Sequence, residues 1–315
     1  MNNSMQNTVN KFSEQYASAW HRFKNNKPAY FSLWVFVSII GFSIIVPVVH
    51  KSDPISLSDF VFQKPNAQFW FGTDANGRDM MARVILGLRI SMAVAVAGTL
   101  ISMLIGVCWG AMAGYFGGKI DSLLMRIVDI LYSMPTIIFV IILVAIGENS
   151  IKKILITMGL EKFMPWSRLI LLFIGMGTVS WLTMSRIVRA QVRTVKSLPF
   201  IEASVSTGAS HMRLIFKHII PNCSGIIVTC LAISLPNIVL YESFLSYLGL
   251  GVQPPIASLG SLMADGISSI NSLRIYWWLV VFPGIFLVSL LLTLNLIADG
   301  VRDAIDPTGS TKSLT

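Results

Sequence analysis

Six long apolar runs alternate with polar stretches along this 315-residue chain. They cover residues 30–49, 90–113, 123–146, 168–187, 222–248 and 276–298. A helix needs roughly 20 apolar residues to cross ~30 Å of hydrocarbon, so each run predicts one span. The expectation is an all-α integral membrane protein with six transmembrane helices. The first run lacks the shorter core and small-residue cleavage site of a signal peptide, and reads as an uncleaved span.

Inside the runs, a few positions depart from plain lipid-facing sequence. Gly98, Ser102, Gly106, Gly110 and Gly114 recur every four residues. That spacing lays a small-residue ridge along one helix face and predicts a packing seam. Arg126 and Asp129 stand three apart and are expected to pair. Pro135 is expected to kink the third span. Pro236 is expected to interrupt the fifth, freeing backbone groups that only protein or water can satisfy. Glu242 follows one to two turns later. A carboxylate inside a span is costly and faces either a cavity or a partner. Two readings stand for it, a place on a path through the membrane or a buried structural hydrogen bond. Tyr276, Trp277 and Trp278 open the last run as interface anchors.

The polar stretches set the topology. Residues 185–221 hold six Lys/Arg (Arg186, Arg189, Arg193, Lys196, Arg213, Lys217) against the one acid Glu202. Positive charge between spans favours the cytoplasmic side, which puts both chain termini inside as well. Within the loop, Pro199 suits a first helical turn and Glu202 complements the positive helix end. Gly208 can end that helix at φ > 0, and a second short helix over 209–217 can follow. A helix-turn-helix knob on the membrane surface results. Residues 50–88 read as an outer stretch rich in turn signals, ending in a helix along the interface. Residues 117–121 read as an inner turn, 147–167 as an outer amphipathic segment, and 249–274 as an outer loop. The divisions expected are a cytoplasmic segment at 1–28, a membrane domain at 29–307 carrying the knob at about 189–221, and a cytoplasmic tail at 308–315.

Composition removes other classes. Apolar residues make up 54% and charged ones 12%, against roughly 25% charge in soluble domains. The net charge of +9 would suit nucleic acid, but the basic residues gather at span ends and in the 185–221 loop, so membrane topology explains them. Cys108, Cys223 and Cys230 lack metal spacing and read as small core residues. His21, His50, His211 and His218 form no zinc pair. Gly117-Gly118-Lys119 is followed by Ile120 and lacks the earlier glycine of a phosphate-binding loop. The chain is therefore not expected to be an enzyme or to bind ATP, and energy must come from a partner.

Glu202-Ala203-Ser204, then Gly208, then Pro221 thirteen residues on, resembles the EAA loop of ABC-importer permeases. Residues 71–79 (FGTDANGRD), 114–122 (GYFGGKIDS), 181–191, 241–251 (YESFLSYLGLG) and 299–307 (DGVRDAIDP) carry the likeness further. Together they resemble the dipeptide/oligopeptide/nickel permease family, and its C-type oligopeptide subunits most of all, from about residue 20 to 307. The resemblance implies a type I ABC importer permease fold in a bacterial inner membrane. It implies that Glu202, Ala203, Ser204, Gly208 and Pro221 couple the chain to ATPase subunits. The intramembrane position of Glu242 and Pro236, on the first of the two readings above, puts them near the substrate path. The resemblance further implies a homologous second permease, two cytoplasmic ATPases holding ATP and Mg, a periplasmic or extracellular peptide-binding protein, and surrounding lipid. No cofactor is expected on this chain. Dipeptides, nickel and antimicrobial peptides are alternative cargoes within the same fold. A stand-alone carrier or channel would need more intramembrane charge than Glu242 supplies. Two features depart from the family pattern: Ser204 stands where Ala is usual, and 147–167 is longer. Aspartate in place of Gly208 is expected to put a Cβ and a charge where neither fits.

Overall fold

Residues 80–116 form one helix of 37 residues, and the rest of the bundle is built on it. The computed structural model describes residues 18–50, 53–270 and 274–305. Most of the expected N-terminal segment and all of the 308–315 tail, with Pro307, lie outside those residues. The helices are α1 (Lys27–Val49), α2 (Met80–Phe116), α3 (Gly118–Tyr132), α4 (Thr136–Thr157), α5 (Ser167–Lys196), α6 (Pro199–Ser206), α7 (Ser224–Tyr247), α8 (Leu259–Ser268) and α9 (Trp278–Ile305).

Five of them, α1, α2, α5, α7 and α9, are long and apolar enough to cross a membrane. A sixth span exists if α3 and α4 count as one, and these two are bent against each other by 84°. The expected kink at Pro135 is therefore a break. Tyr132 ends α3, and Pro135, which has no N–H to give a continuing helix, sits extended just ahead of α4.

The ridge on α2 does what its spacing predicts. A Cβ on Gly106 would lie 2.6 Å from Met184 Cγ and 3.0 Å from the Trp181 carbonyl. On Gly110 it would lie 2.5 Å from the Ser185 carbonyl, and on Gly114 2.8 Å from that of Arg189. Gly98 meets Met176, and Ser102 is fully buried. From Gly106 to Gly114 the ridge thus lies against the backbone of α5, which only residues with little or no side chain permit.

Two ends can be distinguished. At one, called here the loop end, residues 53–79 fold back as a cap. Phe62 stacks on Tyr276 with centroids 4.0 Å apart, and Phe71 stacks on Phe282 at 4.1 Å. Trp278 Nε1 donates to the Thr73 carbonyl at 3.2 Å. Asp74 accepts from the Arg78 N–H at 2.9 Å and pairs with the buried Arg83, which reaches Asp265 of α8 at 3.3 Å. The stretch is anchored at Phe62 and over 71–79, while most of 53–70 stays exposed. At the other, the hairpin end, α1 and α9 close on each other where a Cβ on Gly300 would meet Ala29 at 2.2 Å.

Several expectations are corrected. The helix expected along the interface before the second span is the first three turns of α2 itself, whose N-terminus is capped by Asp79 accepting from the Met81 N–H at 2.9 Å. At ~1.5 Å per residue α2 is about 55 Å long, so it projects beyond the hydrocarbon. The inner turn at 117–121 is reduced to Gly117, at φ 67°, between two helices. Asp129 pairs with Arg186 at 2.6 Å, across to α5, and not with Arg126. Residues 147–157 continue α4, and Glu148 ties that extension to Arg168 at 2.7 Å, so the segment is helical hairpin rather than a strip at the interface. α5 runs on to Lys196, so the first third of the basic loop is helix. α7 passes Pro236 without interruption, and the Asn237 amide donates to the Ile233 carbonyl at 3.0 Å beside it. Cys108 is exposed, unlike Cys223 and Cys230.

Candidate functional site

The hairpin begins where the α5 helix stops. Leu198 is extended, Pro199 takes the first turn of α6, and Glu202 lies in that first turn. Thr207 closes the helix and Gly208 follows at φ 78°, a conformation side chains resist. The second arm starts at His211, widens into a π-helical stretch at Leu214–Ile219, and ends at Ile220–Asn222. Pro221 accounts for the widening, since its ring lacks an N–H and crowds the carbonyl four residues back, at Lys217. The second arm is therefore longer than the 209–217 predicted.

The two faces of the hairpin differ. Ile201, Leu214, Ile215 and Ile219 are buried against Val188, Val192 and Val195 of α5 and Ala111 and Tyr115 of α2. The opposite face is open: Phe200, Glu202, Ala203, Val205, Met212 and Phe216 are exposed, while Ser204 and Pro221 are half-buried. A protruding apolar face at the polar end of a helical bundle is the kind of surface on which a partner can dock. Among the described residues nothing lies within 4 Å of a Cβ placed on Gly208, so within this chain φ and not space restricts the position.

Polar ties fasten the hairpin to α2 and the ends of α2, α3 and α5 to one another, and the sequence did not announce them. The Tyr115 hydroxyl lies 2.7 Å from His211 Nδ1, joining α2 to the second arm. Lys196 Nζ donates to the Tyr115 carbonyl at 2.7 Å. Asp121 of α3 accepts from Arg189 at 2.7 Å and also pairs with Arg193, both on α5. Arg189 and Arg193 are four apart and so share a helix face, but nothing local pairs them with a residue some seventy positions away.

A cavity of about 420 Å³ opens at the α3–α4 bend. Tyr132, Pro135 and Thr136 line it from the bend, Thr178 and Thr183 from α5, and Ser234, Asn237 and Tyr241 from α7. Its lining holds hydroxyls, an amide and apolar carbons but no charge. Neither Pro236 nor Glu242 reaches it; both are buried within the bundle. Glu242 is wholly enclosed and accepts from Ser91 and Ser246, each at 2.8 Å.

Comparison with known proteins agrees with this architecture. The family model described as binding-protein-dependent transport system inner membrane component matches residues 106–309. The N-terminal TM domain of oligopeptide transport permease C matches residues 14–65. The oligopeptide transport system permease protein OppC of Haemophilus influenzae is 39% identical, over 92% of this chain and 87% of its own. OppC of Bacillus subtilis is 36% identical over 94% and 92%. The dipeptide transport system permease protein DppC of Bacillus subtilis is 36% identical over 92% and 84%. Among solved structures, an inward-facing conformation of the MetNI methionine ABC transporter superposes with a TM-score of 0.53. It has 19% identity and covers 72% of this chain and 98% of that one, which establishes the shared fold.

Proposed function

Because the chain belongs to the family of binding-protein-dependent transport system inner membrane components, the permeases of ABC importers, we propose that it carries oligopeptides inward and is driven through its hairpin. The observation that carries this is the two-faced hairpin, with Ile201, Leu214 and Ile219 sunk among the ends of α2 and α5 and Phe200, Val205, Met212 and Phe216 left open. A partner that grips the open face moves the spans through the buried one. No chemistry is asked of Glu202, Ala203, Ser204, Gly208 or Pro221; they supply shape and fit.

The partners follow from that division of labour. Two cytoplasmic ATPases bind ATP and Mg and close on it, a homologous second permease completes the pathway, and a peptide-binding protein delivers cargo at the loop end. The exposed Lys119, Arg126, Arg193, Arg213 and Lys217 all gather at the hairpin end, which favours the cytoplasm for that end and a bacterial inner membrane for the whole. The spans then rock between outward- and inward-facing states. The uncharged cavity beside Thr136, Thr178 and Asn237 suits a path that passes peptides of differing side chains without holding them. This moves the proposed path from Pro236 and Glu242 to their α7 neighbours Ser234, Asn237 and Tyr241.

The match to DppC keeps dipeptides as a second cargo. Uptake of labelled dipeptides and of tri- to pentapeptides by a deletion strain, with and without this chain restored, separates the two. Restored uptake of the longer peptides supports the assignment, and restored uptake of dipeptides alone replaces it.

A further inference from the structure

Glu242 is the only acidic or basic side chain on α7, and it is 0% exposed. The cavity does not use it, and its partners in the structure are hydroxyls rather than cations. Oε2 accepts from Ser91 of α2 at 2.8 Å and from Ser243 at 3.4 Å; Oε1 accepts from Ser246 at 2.8 Å. Two of these serines are links in longer chains. Ser246 Oγ accepts the Val252 N–H at 3.2 Å, and Ser91 Oγ accepts the Leu259 N–H at 3.4 Å.

Val252 and Leu259 bracket the segment that leads from α7 into α8. Both of its ends are thus tied through a serine hydroxyl to one carboxyl group. The segment also lies very close to its bed. A Cβ on Gly251 would fall 2.0 Å from Ser246 Oγ, and one on Gly260 would fall 2.1 Å from the Ser243 carbonyl. The hydroxyl chains and these close fits add to the burial of Val252, Ile256, Ala257 and Leu259 beside Val239 and Leu245 in seating the segment on α7. A buried carboxyl is tolerated only when its hydrogen bonds are made, so the group and the seated segment depend on each other.

We propose that Glu242 is the latch of the loop end, a positioning residue that holds residues 249–258 and α8 down on α2 and α7 and whose release accompanies opening at that end. This rests on the transport function proposed above, since a latch implies an end that opens.

The test uses the full transporter complex with Cys108, Cys223 and Cys230 replaced and Val252→Cys as the probe, a side chain buried in the closed segment. The rate at which a membrane-impermeant maleimide labels the probe reports release. Losing a buried hydrogen-bond hub shifts such an equilibrium about tenfold or more. Glu242→Ala is expected to label about tenfold faster and to lose peptide uptake. Glu242→Gln, which keeps an acceptor for one serine and offers a donor to the other, is expected to label and transport like the parent. Labelling of Glu242→Ala at the parental rate in an intact complex overturns the latch, as does a Gln variant that behaves like Ala. If Glu242→Ala fails to accumulate, Ser91→Ala and Ser246→Ala each remove one chain, and parental labelling in both overturns it equally. Faster labelling in Glu242→Ala without any peptide uptake by the parent supports the latch and removes the cargo assignment instead.

Discussion

The Tyr115 hydroxyl at the end of α2 sits 2.7 Å from Nδ1 of His211 at the start of the hairpin's second arm. The longest helix of the bundle therefore holds the element proposed to receive the motor stroke. Lys196, the last residue of α5, bonds the same tyrosine's carbonyl and places its ammonium 5.3 Å from the ring centroid. Three segments meet on one side chain. Tyr115→Phe removes only the hydroxyl, a loss of about 1 kcal/mol for a partly exposed hydrogen bond. Uptake per ATP hydrolysed should fall several-fold while the complex still assembles, as measured by paired uptake and hydrolysis assays.

Asp121 fixes α3 to α5 by accepting from both Arg189 and Arg193. Its side chain is only 5% exposed, whereas Arg193 is half exposed, so water compensates one partner and not the carboxylate. Asp121→Ala leaves two neighbouring cations without their counter-charge and should destabilise by about 2 kcal/mol, less than a fully buried pair would. The thermal midpoint of the purified complex should drop by several degrees.

The α2 ridge tolerates nothing larger than its small residues. A Cβ on Gly110 would stand 2.5 Å from a backbone oxygen, that of Ser185, which cannot swing aside. Gly110→Ala should therefore cost ~1–3 kcal/mol by overpacking, and Gly110→Leu should abolish accumulation in the membrane. Gly41, with nothing within 4 Å, is the control: Gly41→Ala should accumulate normally.

Gly208 separates conformation from contact. Space around it is open and its φ is 78°, so the cost of a side chain is the left-handed backbone, about 1–2 kcal/mol for most residues and less for Asn or Asp. Gly208→Val should lose uptake and Gly208→Asn should largely keep it. If Gly208→Asp fails where Asn succeeds, the charge is being refused by a partner surface, since the described residues of this chain place nothing there. Uptake and ATPase co-purification of the three variants check this.

Much of the architecture could be read in advance where the signal was local and periodic. Apolar runs located α1, α7 and the start of α9 to within a few residues, and the period of four at Gly98–Gly114 named the face on which α5 packs. Pro199 and Gly208 bracketed α6 because helix starts and left-handed stops have residue preferences of their own. Interactions across distance were not legible. Pro135 marked a weak point, but whether it kinks or breaks depends on what pins α3, and the Asp121–Arg189 tie spans 68 positions. Glu242 stood out as an intramembrane charge, yet nothing distinguished Ser91 from the other serines as its partner. Turn residues in 53–79 were plain, whereas the stacking of Phe62 on Tyr276 that anchors the stretch was not.

The claim that matters most is that a separate ATPase grips the open face of the hairpin. Val205 and Met212 are 54% and 63% exposed on that face, and neither supports the fold. Photo-crosslinking amino acids placed at 205 and 212 in native membranes should capture a cytoplasmic ATPase, with the yield changing when ATP is added. The same probe at Leu292, exposed on α9 well away from the hairpin, should not capture it. Capture of lipid alone at 205 and 212 in membranes that import peptide through this chain would contradict the account.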